Sequence, residues 1–591
     1  MKFTKIISPF LAWSRVARKA DTIPYPATKN PGSNRYRGFH TNDLEKCIGC
    51  GRCGEICQNE AIGMVPVEGD LPEKGDSGLR PLVDYGRCCW CALCVDVCST
   101  GSLSMSNSYS WSTSNPDGCA YVPGSDRKAW DGSEKGYRQD NSTLYWAGSK
   151  RVEMPVRDPA ERVRGFEEVV RGYSSEQAVA EASRCIQCGL CVTACPVRMH
   201  IPDYISAIAR GEPEEAVRLF LDNNPLPEMC GRVCTRQCET VCAMGYQGES
   251  IAIRWLKRFA CEAVSSLSDA LEVEAASPGS GRGSVAIIGS GPAGLSAAYH
   301  LARLGFEVHV FEKNGSAGGV ARHAIPEYRL PEEGYRRQME VFHQLGIHFH
   351  FNSPAGPAEV NELSGKHDAV FLAPGLQTSS EFRIPGIGLP GVQHALYFLM
   401  DDPEKGGIPV GRRVLVIGGG NVAMDTARTC RRLGSDVVIS YRRRIRDMPA
   451  DEEEIREALE EGVEIRDRTI PERIEKTDDG LRYIYIEAEM REVPGESRPK
   501  PVRKNDLEHD IPADSIFLAV GQSSDLSLLP EEMAENIDVE WGIIKVDRRQ
   551  YTGFGNIYAG GDVTPGPSDV ISAIADGMRF AAAVSGKNPV K

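Results

Sequence analysis

Long hydrophobic runs and an excess of positive charge are both missing from this 591-residue sequence. No uninterrupted apolar stretch reaches the roughly 18 residues that a membrane-spanning helix requires, so we expect no transmembrane segment. The formal net charge is −14 and no long basic run is present, which argues against nucleic acid as a partner. We therefore expect a cytoplasmic protein, with peripheral attachment to a membrane through a partner as the alternative.

A convincing secretory leader is missing as well. Residues 6–13 form a short apolar patch, but the patch contains Pro9, runs into Arg15 and is followed by no clear small-residue cleavage site. We interpret residues 1–39 as a segment that docks on another protein surface. Adhesion to a membrane surface is the alternative.

Cysteine is abundant instead, with 20 residues, of which 16 fall into four groups of four. A disulfide framework is the competing explanation, but such frameworks are typical of small secreted chains, whereas this chain is long enough for about four domains. We therefore interpret the groups as ligands of iron–sulfur clusters. The candidate ligands are Cys47, Cys50, Cys53, Cys57, Cys88, Cys91, Cys94, Cys98, Cys185, Cys188, Cys191, Cys195, Cys230, Cys234, Cys238 and Cys242.

The first two groups both follow the spacing C-x2-C-x2-C-x3-C. This is the pattern of bacterial two-cluster ferredoxins, in which three close thiolates hold one cluster and the fourth ligates the other. Zinc is the alternative, but a four-thiolate zinc site does not explain the third cysteine. We expect a ferredoxin-like 2[4Fe-4S] domain at residues 40–100 and an irregular aromatic-rich linker at 101–156. Carried onto this sequence, the pattern assigns Cys47, Cys50, Cys53 and Cys98 to one cluster, and Cys57, Cys88, Cys91 and Cys94 to the other.

The stretch RYRGFHTNDLEKCIGCGRCGEICQNEAI resembles the eight-iron ferredoxin subunit of respiratory complex I, over about the first hundred residues. That resemblance implies that this part of the chain carries electrons between protein subunits. The third and fourth cysteine groups lie further along, among short helical patterns that alternate with proline and glycine stops. We expect a small helical domain at residues 157–279, in which clusters substitute for a large apolar core.

A dinucleotide-binding fingerprint follows at residue 284. Gly289, Gly291 and Gly294 form G-x-G-x-x-G directly after an apolar strand pattern, and Glu312 lies 23 residues after the first glycine. The glycines allow a tight turn and close approach of a pyrophosphate to a helix N-terminus, and the carboxylate can bind ribose hydroxyls. A glycine-rich core turn is the alternative, but the flanking strand, the helix and the acidic residue all favour nucleotide binding.

A second fingerprint consists of Gly418, Gly420 and Ala423. The same count of 23 residues ends on a tyrosine instead of an acid, and three arginines follow at 442–444. A carboxylate would repel a 2′-phosphate, whereas guanidinium groups bind it, so we predict that this site prefers NADPH over NADH. The alternative is that the arginines form a solvated strand end.

The two fingerprints and the C-terminal stretch NIYAGGDVTPGPSDVISAIADGMRFAAAV resemble the flavoproteins that contain two dinucleotide-binding domains. The resemblance implies an FAD domain at residues 280–403 and 513–591, with an NAD(P)H domain inserted at 404–512. The implied FAD contacts are Gly289, Gly291, Ala293, Gly294, Glu312, Lys313, Gly319, Gly375, Gly561, Asp562, Asp569 and Val570. The implied NAD(P)H contacts are Gly418, Gly420, Asn421, Val422, Ala423, Arg442 and Arg443.

From residue 157 onward the chain resembles the small subunit of glutamate synthase, the large subunit of bifurcating ferredoxin:NADP oxidoreductase and the N-terminal half of dihydropyrimidine dehydrogenase. The matching pieces include EASRCIQC, NNPLPEMCGRVC, GGVARHAIPEYRLP, GGGNVAMDTAR and YRRRIRDMPA. The resemblance implies hydride transfer between NAD(P)H and FAD, followed by one-electron steps into two 4Fe-4S clusters. No catalytic side chain is required, because the cofactors carry the chemistry.

The same resemblance implies ligand sets that cross between the third and fourth groups. Cys185, Cys188, Cys191 and Cys242 would hold one cluster, and Cys195, Cys234 and Cys238 three corners of the other. Relatives often complete that second cluster with Glu or Gln at the position of Lys257, which cannot serve. Cys230 or Cys261 is then the candidate fourth ligand. A three-iron or water-capped cluster is the alternative.

We therefore expect a multidomain α/β protein with a ferredoxin-like domain, a helical iron–sulfur domain and two Rossmann-like domains. It would act as an FAD- and NAD(P)H-dependent subunit with four 4Fe-4S clusters in a larger anaerobic redox complex, and bifurcation is a possible elaboration. Expected partners are a hydrogenase, formate dehydrogenase, aldehyde or acyl-CoA reductase, or ferredoxin. The alternatives are a glutamate synthase (NADPH) small subunit and a structural wiring subunit without flavin turnover. A disulfide substrate is not expected, because no C-x-x-C lies in the flavoprotein region.

Overall fold

The structure, a computed structural model, describes residues 12–14, 16, 18–25, 27–28, 32–67, 73–109, 112–125, 135–140, 147–271, 282–401, 403–495 and 498–586. Much of the expected docking segment lies outside these residues, as do Trp111, Trp130, Tyr145 and Trp146 of the aromatic-rich linker. The chain divides into two compact units, Met1–Ser149 with Ala243–Glu249 and Lys150–Cys242 with Ser250–Lys591. None of the helices in the described ranges is long and apolar enough to cross a membrane.

The first unit contains the expected ferredoxin-like domain, built from small antiparallel sheets and two one-turn helices. Its elements are β1 His40–Asn42, α1 Arg52–Glu55, β2 Ile62–Pro66, β3 Leu79–Asp84, α2 Leu93–Asp96, β4 Leu103–Met105 and β5 Ala120–Tyr121. β2, β3 and β5 form one sheet, and β1 pairs with β4. Phe39, Val83, Tyr85 and Val95 are buried in the core, and cysteines of the first two groups lie against it.

The second unit begins with a bundle of short helices. They are α3 Pro159–Arg162, α4 Ser175–Ala182, α5 Leu190–Ala194, α6 Ile201–Ala209, α7 Pro213–Asn223, α8 Pro227–Val233, α9 Gln237–Thr240 and α10 Ile253–Ala263. Ser174 and Gln177 form a capping box that starts α4, because each side chain accepts a hydrogen bond from the other residue's backbone N–H. The apolar residues of α6 and α7 are buried, and Tyr204 packs edge-on against Phe220. The bundle holds the third and fourth cysteine groups.

The first Rossmann-like fold follows in the same unit. Its elements are β6 Ser284–Ile288, α11 Pro292–Arg303, β7 Glu307–Phe311, α12 Gly319–His323, α13 Glu332–His343, β8 His348–His350, α14 Pro357–Lys366, β9 Ala369–Leu372 and β10 Thr378–Ser379. Strands β6, β7, β8 and β9 are parallel, and β6 lies between β7 and β9. Such a sheet places the carboxyl end of β6, where the first fingerprint begins, beside the ends of its neighbours.

The second Rossmann-like fold is wider than expected. Its elements are β11 Val392–His394, α15 Ala395–Met400, β12 Arg413–Gly418, α16 Asn421–Arg432, β13 Asp436–Tyr441, α17 Glu452–Glu460, β14 Glu464–Asp467, β15 Thr469–Thr477, β16 Gly480–Arg491, β17 Lys500–Ala513 and β18 Ser515–Ala519. The parallel sheet runs β11-β18-β12-β13-β14, so two of its strands lie outside the expected bounds of 404–512. Periodicity did not reveal β11, which has only three residues. Strands β15, β16 and β17 form a separate antiparallel sheet.

The chain then returns to the first Rossmann-like fold. The returning elements are β19 Gln522–Ser523, α18 Glu531–Asn536, β20 Val539–Glu540, β21 Ile543–Ile544, β22 Ile557–Ala559 and α19 Val570–Val584. β22 adds to the parallel sheet beside β9. Helix α19 packs on α11, and the contact is close because Gly577 lies against the backbone of Ala293 and Ala297. The segment therefore completes the fold that it left at β10.

Ion pairs connect the helical bundle to the second Rossmann-like fold. Arg236 contacts Asp451 at 2.6 Å, and Arg254 pairs with Glu453. Both acidic residues lie at the start of α17, where negative charge is favoured by the helix dipole. Arg162 adds a third pair with Glu460, at 2.8 Å. These contacts hold the cysteine-bearing bundle against the nucleotide fold within the second unit.

Candidate electron-transfer site

The first fingerprint forms a tight turn between β6 and α11. Gly289 has a φ of 99°, and a side chain there would meet the carbonyl oxygen of Ala373 at 2.3 Å. A side chain at Gly294 would meet the carbonyl oxygen of Gly289 at 2.0 Å, so this glycine allows close helix–strand packing. Gly291 precedes the helix with nothing within 4 Å of its Cβ position, which leaves room for a pyrophosphate at the helix N-terminus.

Glu312 is buried at the end of β7, where a ribose ligand is expected. One carboxylate oxygen accepts hydrogen bonds from the backbone and the hydroxyl of Ser290, at 3.0 and 2.6 Å. The other accepts one from the backbone of Asn314 at 2.9 Å. These bonds fix the carboxylate beside the fingerprint turn. Lys313 lines an adjoining cavity that also reaches Gly289 and Gly375.

A large cavity extends from this turn to the C-terminal segment. Ten of the expected FAD residues line it, namely Gly289, Gly291, Ala293, Glu312, Gly319, Gly375, Gly561, Asp562, Asp569 and Val570. About half of the lining residues are Gly, Ala, Ser, Thr or Pro, whose small side chains leave room for a large ligand. The geometry therefore fits FAD at these residues.

Two carboxylates of the C-terminal segment have shifted pKa values. Burial raises the pKa of Asp562 to about 6, and the nearby Asp569 and Asp576 add to the shift. Burial would also raise the pKa of Asp569, but hydrogen bonds from Ser572, Thr235 and Gln237 lower it overall. Asp569 is therefore held as a carboxylate, whereas the pKa of Asp562 lies close to neutral pH.

Residues from two other folds line the same cavity. Asn421, Val422 and Asp425 come from α16 of the second Rossmann-like fold, and Val233 and Thr235 come from the cysteine-bearing bundle. Sequence reasoning anticipated the first two, because they follow the second fingerprint. It missed the others, which carry no motif and reach the cavity only through tertiary packing.

The second fingerprint has the backbone of the first. Gly418 has a φ of 148°, and a side chain there would meet the carbonyl oxygen of Ala519 at 2.2 Å. Gly420 precedes α16 in an extended conformation, and Ala423 is fully buried. Asn421 Oδ1 accepts a hydrogen bond from the backbone of Asp451. The turn therefore leaves the start of α16 open, with Asn421 and Val422 facing the flavin cavity.

The three arginines after β13 differ in their partners. Arg444 pairs with Asp447 at 2.6 Å, and Arg443 donates to the carbonyl of Pro499 at 2.9 Å. Arg442 is exposed, and within the described residues it forms no ion pair. The part of the Arg442 side chain that packs against the protein loses contact with water, and this desolvation together with the adjacent Arg443 lowers its pKa. A bound anion would relieve the repulsion between Arg442 and Arg443, and a 2′-phosphate is such an anion.

The thiols of the first unit form two sets that cross between the sequence groups. Burial raises the pKa of Cys53, and so do the neighbouring thiols Cys50, Cys98, Cys47 and Cys94. Burial likewise raises the pKa of Cys94, beside Cys88, Cys91 and Cys57. The structure thus brings Cys98 to the first group and Cys57 to the second. This is the arrangement that the two-cluster ferredoxin pattern requires.

The loops between the thiols have a common shape. The residue after the second cysteine has a positive φ in three of the groups, with 77° at Gly51, 71° at Ala92 and 76° at Gly189. A helix of four or five residues begins at the next residue each time, namely α1, α2 and α5. Backbone N–H groups also point at sulfur, as from Ala61 to Cys57 at 3.3 Å. Such donors stabilise thiolate sulfur and raise a cluster's reduction potential.

The thiols of the second unit also form two sets. Burial raises the pKa of Cys191, and the neighbouring thiols are Cys188, Cys185 and Cys242. The other set contains Cys195, Cys234 and Cys238 and is joined by Cys230, whose thiol pKa burial raises to about 12. Cys261 is fully buried, and the charges that act on it come from residues such as Glu228 and Arg232 instead of other thiols. Cys234 and Cys195 act on the thiol of Cys230, whereas charged side chains act on that of Cys261, and this contrast favours Cys230 as the fourth ligand.

Lys257 lies beside the fourth thiol set, which consists of Cys195, Cys230, Cys234 and Cys238. It is buried on α10, and no ion pair to a carboxylate is found for it in the part of the chain that the structure describes. Burial would lower its pKa, but the four thiols Cys230, Cys234, Cys195 and Cys238 raise it. A buried cation therefore lies next to these four thiols, where it offsets the negative charge that they carry as thiolates.

The fourth thiol set and the flavin cavity share a short hydrogen-bonded connection. Asp569, at the start of α19, accepts hydrogen bonds from Thr235 Oγ1 and from Gln237 Nε2, the latter at 3.0 Å. Thr235 follows Cys234 directly, and the charge of Asp569 also acts on Cys234. One carboxylate thus contacts both the cavity and the cysteine loop.

Three family models match the chain in consecutive regions. Residues 283–577 match the pyridine nucleotide-disulphide oxidoreductases. Residues 162–268 match dihydropyrimidine dehydrogenase domain II with its 4Fe-4S cluster, and residues 46–102 match the 4Fe-4S dicluster domain.

Similar proteins cover much of the chain. The protein UacF of Escherichia coli is 31% identical, over 91% of this chain and 85% of UacF. The NADPH glutamate synthase small chain of Azospirillum brasilense is 32% identical, over 72% of this chain and 92% of the relative. The beta subunit of NADP(+)-dependent formate dehydrogenase of Moorella thermoacetica is 34% identical, over 67% of this chain and 59% of that subunit.

The chain therefore belongs to the FAD- and iron–sulfur-containing oxidoreductases that include the small chain of glutamate synthase. It is an FAD-dependent NAD(P)H oxidoreductase with 4Fe-4S domains, so the expected fold class, enzyme class and types of cofactor are confirmed. The number of clusters and the individual ligands remain predictions.

The position of Cys230 leads to a prediction with a matched control. Cys230→Ser is expected to convert one four-iron cluster to a three-iron form or to lose it, because it removes one corner of the thiol set. Cys261→Ser, which changes an equally buried thiol, is expected to keep the wild-type iron content. Iron analysis and low-temperature EPR of the anaerobically purified variants measure this. Iron loss in Cys261→Ser with none in Cys230→Ser would reverse the assignment.

The charge of Lys257 leads to a second prediction. Reduction adds negative charge to a cluster, so a nearby ammonium stabilises the reduced form and raises the midpoint potential. Lys257→Met is expected to shift one cluster to a lower potential by about 59 mV or more, a tenfold change for a one-electron couple. EPR-monitored redox titration measures the shift, with the exposed Lys366→Met as the control. An unchanged potential in Lys257→Met would contradict the placement.

Proposed function

We propose that this chain is an electron-transfer subunit that moves electrons between NAD(P)H and a partner enzyme or ferredoxin through FAD and four 4Fe-4S clusters. The observation that carries the proposal is the composition of the cavity wall. Gly289 and Asp562 come from the FAD fold, Asn421 comes from the second nucleotide fold, and Thr235 comes from the loop of the fourth thiol set. A hydride donor, a flavin and a cluster can therefore meet within one cavity.

The chain's own residues position these groups. FAD, when bound, supplies hydride acceptance from the nicotinamide and single-electron transfer to a cluster. Gly289, Gly291 and Glu312 hold its dinucleotide part by backbone approach and by ribose hydrogen bonds. Asn421 and Val422 lie where the nicotinamide must approach, and small residues such as Ala293 and Gly561 leave room for the ring. No side chain is required to move a proton during hydride transfer.

Similar proteins support a role inside a larger complex. The Moorella thermoacetica relative is a subunit of an NADP(+)-dependent formate dehydrogenase, and a hydrogenase, aldehyde reductase or acyl-CoA reductase would equally suit a low-potential electron carrier. Flavin-based bifurcation would be an elaboration of the same cavity.

A glutamate synthase small subunit is the second candidate. The small chain of Azospirillum brasilense supports it, since 92% of that chain aligns here. The ferredoxin-like domain matched at residues 46–102 favours the first candidate, because it adds two further expected clusters in front of the shared part. A wiring subunit without flavin turnover is the third, and the cavity wall argues against it.

Anaerobic reduction of an artificial dye whose midpoint potential is more positive than that of NADPH tests the proposal. The FAD- and iron-loaded chain is expected to reduce the dye with NADPH and, less efficiently, with NADH. A chain that contains bound flavin and yet reduces no dye with either nucleotide would be the wiring subunit instead.

Arg442→Ala extends the same assay to the nucleotide. Loss of one charge-assisted hydrogen bond to the 2′-phosphate costs about 1.5–3 kcal/mol, so kcat/KM for NADPH should fall roughly tenfold or more, with a smaller change for NADH. Arg482→Ala, an exposed arginine on β16 that pairs with Asp510, is the control and should behave as wild type. Equal NADPH and NADH efficiencies in the wild type would reject the proposed preference.

A further inference from the structure

Histidine is scarce in this chain, with 11 residues, yet four of them gather at one edge of the first Rossmann-like fold. His309 lies on β7, and His348 and His350 lie on the neighbouring edge strand β8. The parallel register pairs His309 with His348, so both side chains lie on the same face of the sheet. The ring of His367, which precedes β9, lies 5.2 Å from that of His309.

A carboxylate completes the patch. Glu307 lies two residues before His309 on the same strand face, and its Oε1 is 3.0 Å from His309 Nε2. The rings of His309 and His348 stack with their centroids 4.8 Å apart. One ligand atom from each of Glu307, His309 and His348 lies within 4.8 Å of the other two. Three atoms that can ligate a metal therefore converge on one point at the sheet edge.

We propose that Glu307, His309 and His348 form a binding site for a divalent transition-metal ion of the zinc type. Imidazole nitrogen and carboxylate oxygen are the ligands that such ions prefer. In tetrahedral zinc sites with bonds of about 2.0–2.1 Å, ligand atoms are roughly 3.3 Å apart, close to the spacing of Glu307 Oε1 and His309 Nε2. Glu307 and His348 are exposed and free to adjust, and water completes the coordination.

His350 acts as a positioning residue for this site. Its Nε2 lies 3.1 Å from His309 Nδ1, and its ring stacks on Phe311 with centroids 4.6 Å apart. When His309 Nδ1 carries the proton and donates it to His350, His309 Nε2 is left with a lone pair toward the metal.

The site is separate from the electron-transfer cavity. Neither Glu307 nor a histidine of the patch lines the flavin cavity, although Glu312, which directly follows β7, does. A metal bound here would join the edge strand β8 to β7. It would therefore stabilise the strand that presents the expected ribose ligand.

Zinc analysis of the intact holoprotein tests the proposal. The anaerobically purified chain is dialysed to equilibrium against buffered Zn²⁺, and zinc, iron and flavin are measured in the same sample. His348→Ala is expected to bind one zinc fewer per chain than wild type, with unchanged iron and flavin. His343→Ala, an exposed histidine on α13 outside the patch, should bind as wild type does.

Two further variants separate a built site from loss of folding. Glu307→Gln keeps the size of an exposed side chain and should weaken zinc binding at least about tenfold, because it replaces an anionic ligand with a neutral amide. His350→Phe keeps the stacking on Phe311 and should weaken zinc binding about 10–100-fold. Equal zinc content in wild type, His348→Ala and Glu307→Gln would overturn the proposal, whether the bound zinc is then on thiols or adventitious.

Discussion

The carboxylate of Asp569 joins the two halves of the electron-transfer site. It caps helix α19 by accepting a hydrogen bond from the backbone of Ser572 at 2.9 Å, and it also accepts bonds from Thr235 and Gln237. Burial of a carboxylate is costly unless its lone pairs are satisfied, and these donors satisfy them. The cysteine loop that starts at Cys234 is consequently held at the wall of the flavin cavity. The rest of the proposed electron path depends on that placement.

Charge around the cysteine-bearing bundle supports the same arrangement. Arg236, which lies between Cys234 and Cys238, and Arg254 pair with acidic residues at the start of α17. Lys257 instead stays with the thiols. These three cations thus have two separate roles, since two of them hold the neighbouring fold and one offsets the charge of the cluster site.

Much of the fold and of the candidate site could be predicted from sequence, because the motifs that define them are local. The cysteine spacing and the glycines of both fingerprints are backbone requirements that a short motif records, as the positive φ values of Gly289 and Gly418 illustrate. The sequence predicts the second nucleotide fold but not its edge strand β11, because three residues are too few to show a periodicity. Its bounds could be corrected only from the pairing of β11 with β18.

The contacts between folds could not be predicted in the same way. Thr235 is an ordinary residue in sequence, and its place at the cavity wall follows only from the packing of the bundle on α19. The choice between Cys230 and Cys261 likewise depends on which of the two lies near other thiols. The patch of Glu307, His309 and His348 could not be predicted, because its members come together only when β7 pairs with β8.

The central claim is that electrons pass from NADPH to the clusters through a flavin in this cavity. The most direct measurement is low-temperature EPR of the anaerobic chain after addition of NADPH, with and without bound FAD and at equal iron content. The account predicts reduced iron–sulfur signals only in the FAD-containing sample, while dithionite reduces the clusters in both. Reduction of the clusters by NADPH in the FAD-free sample would contradict it.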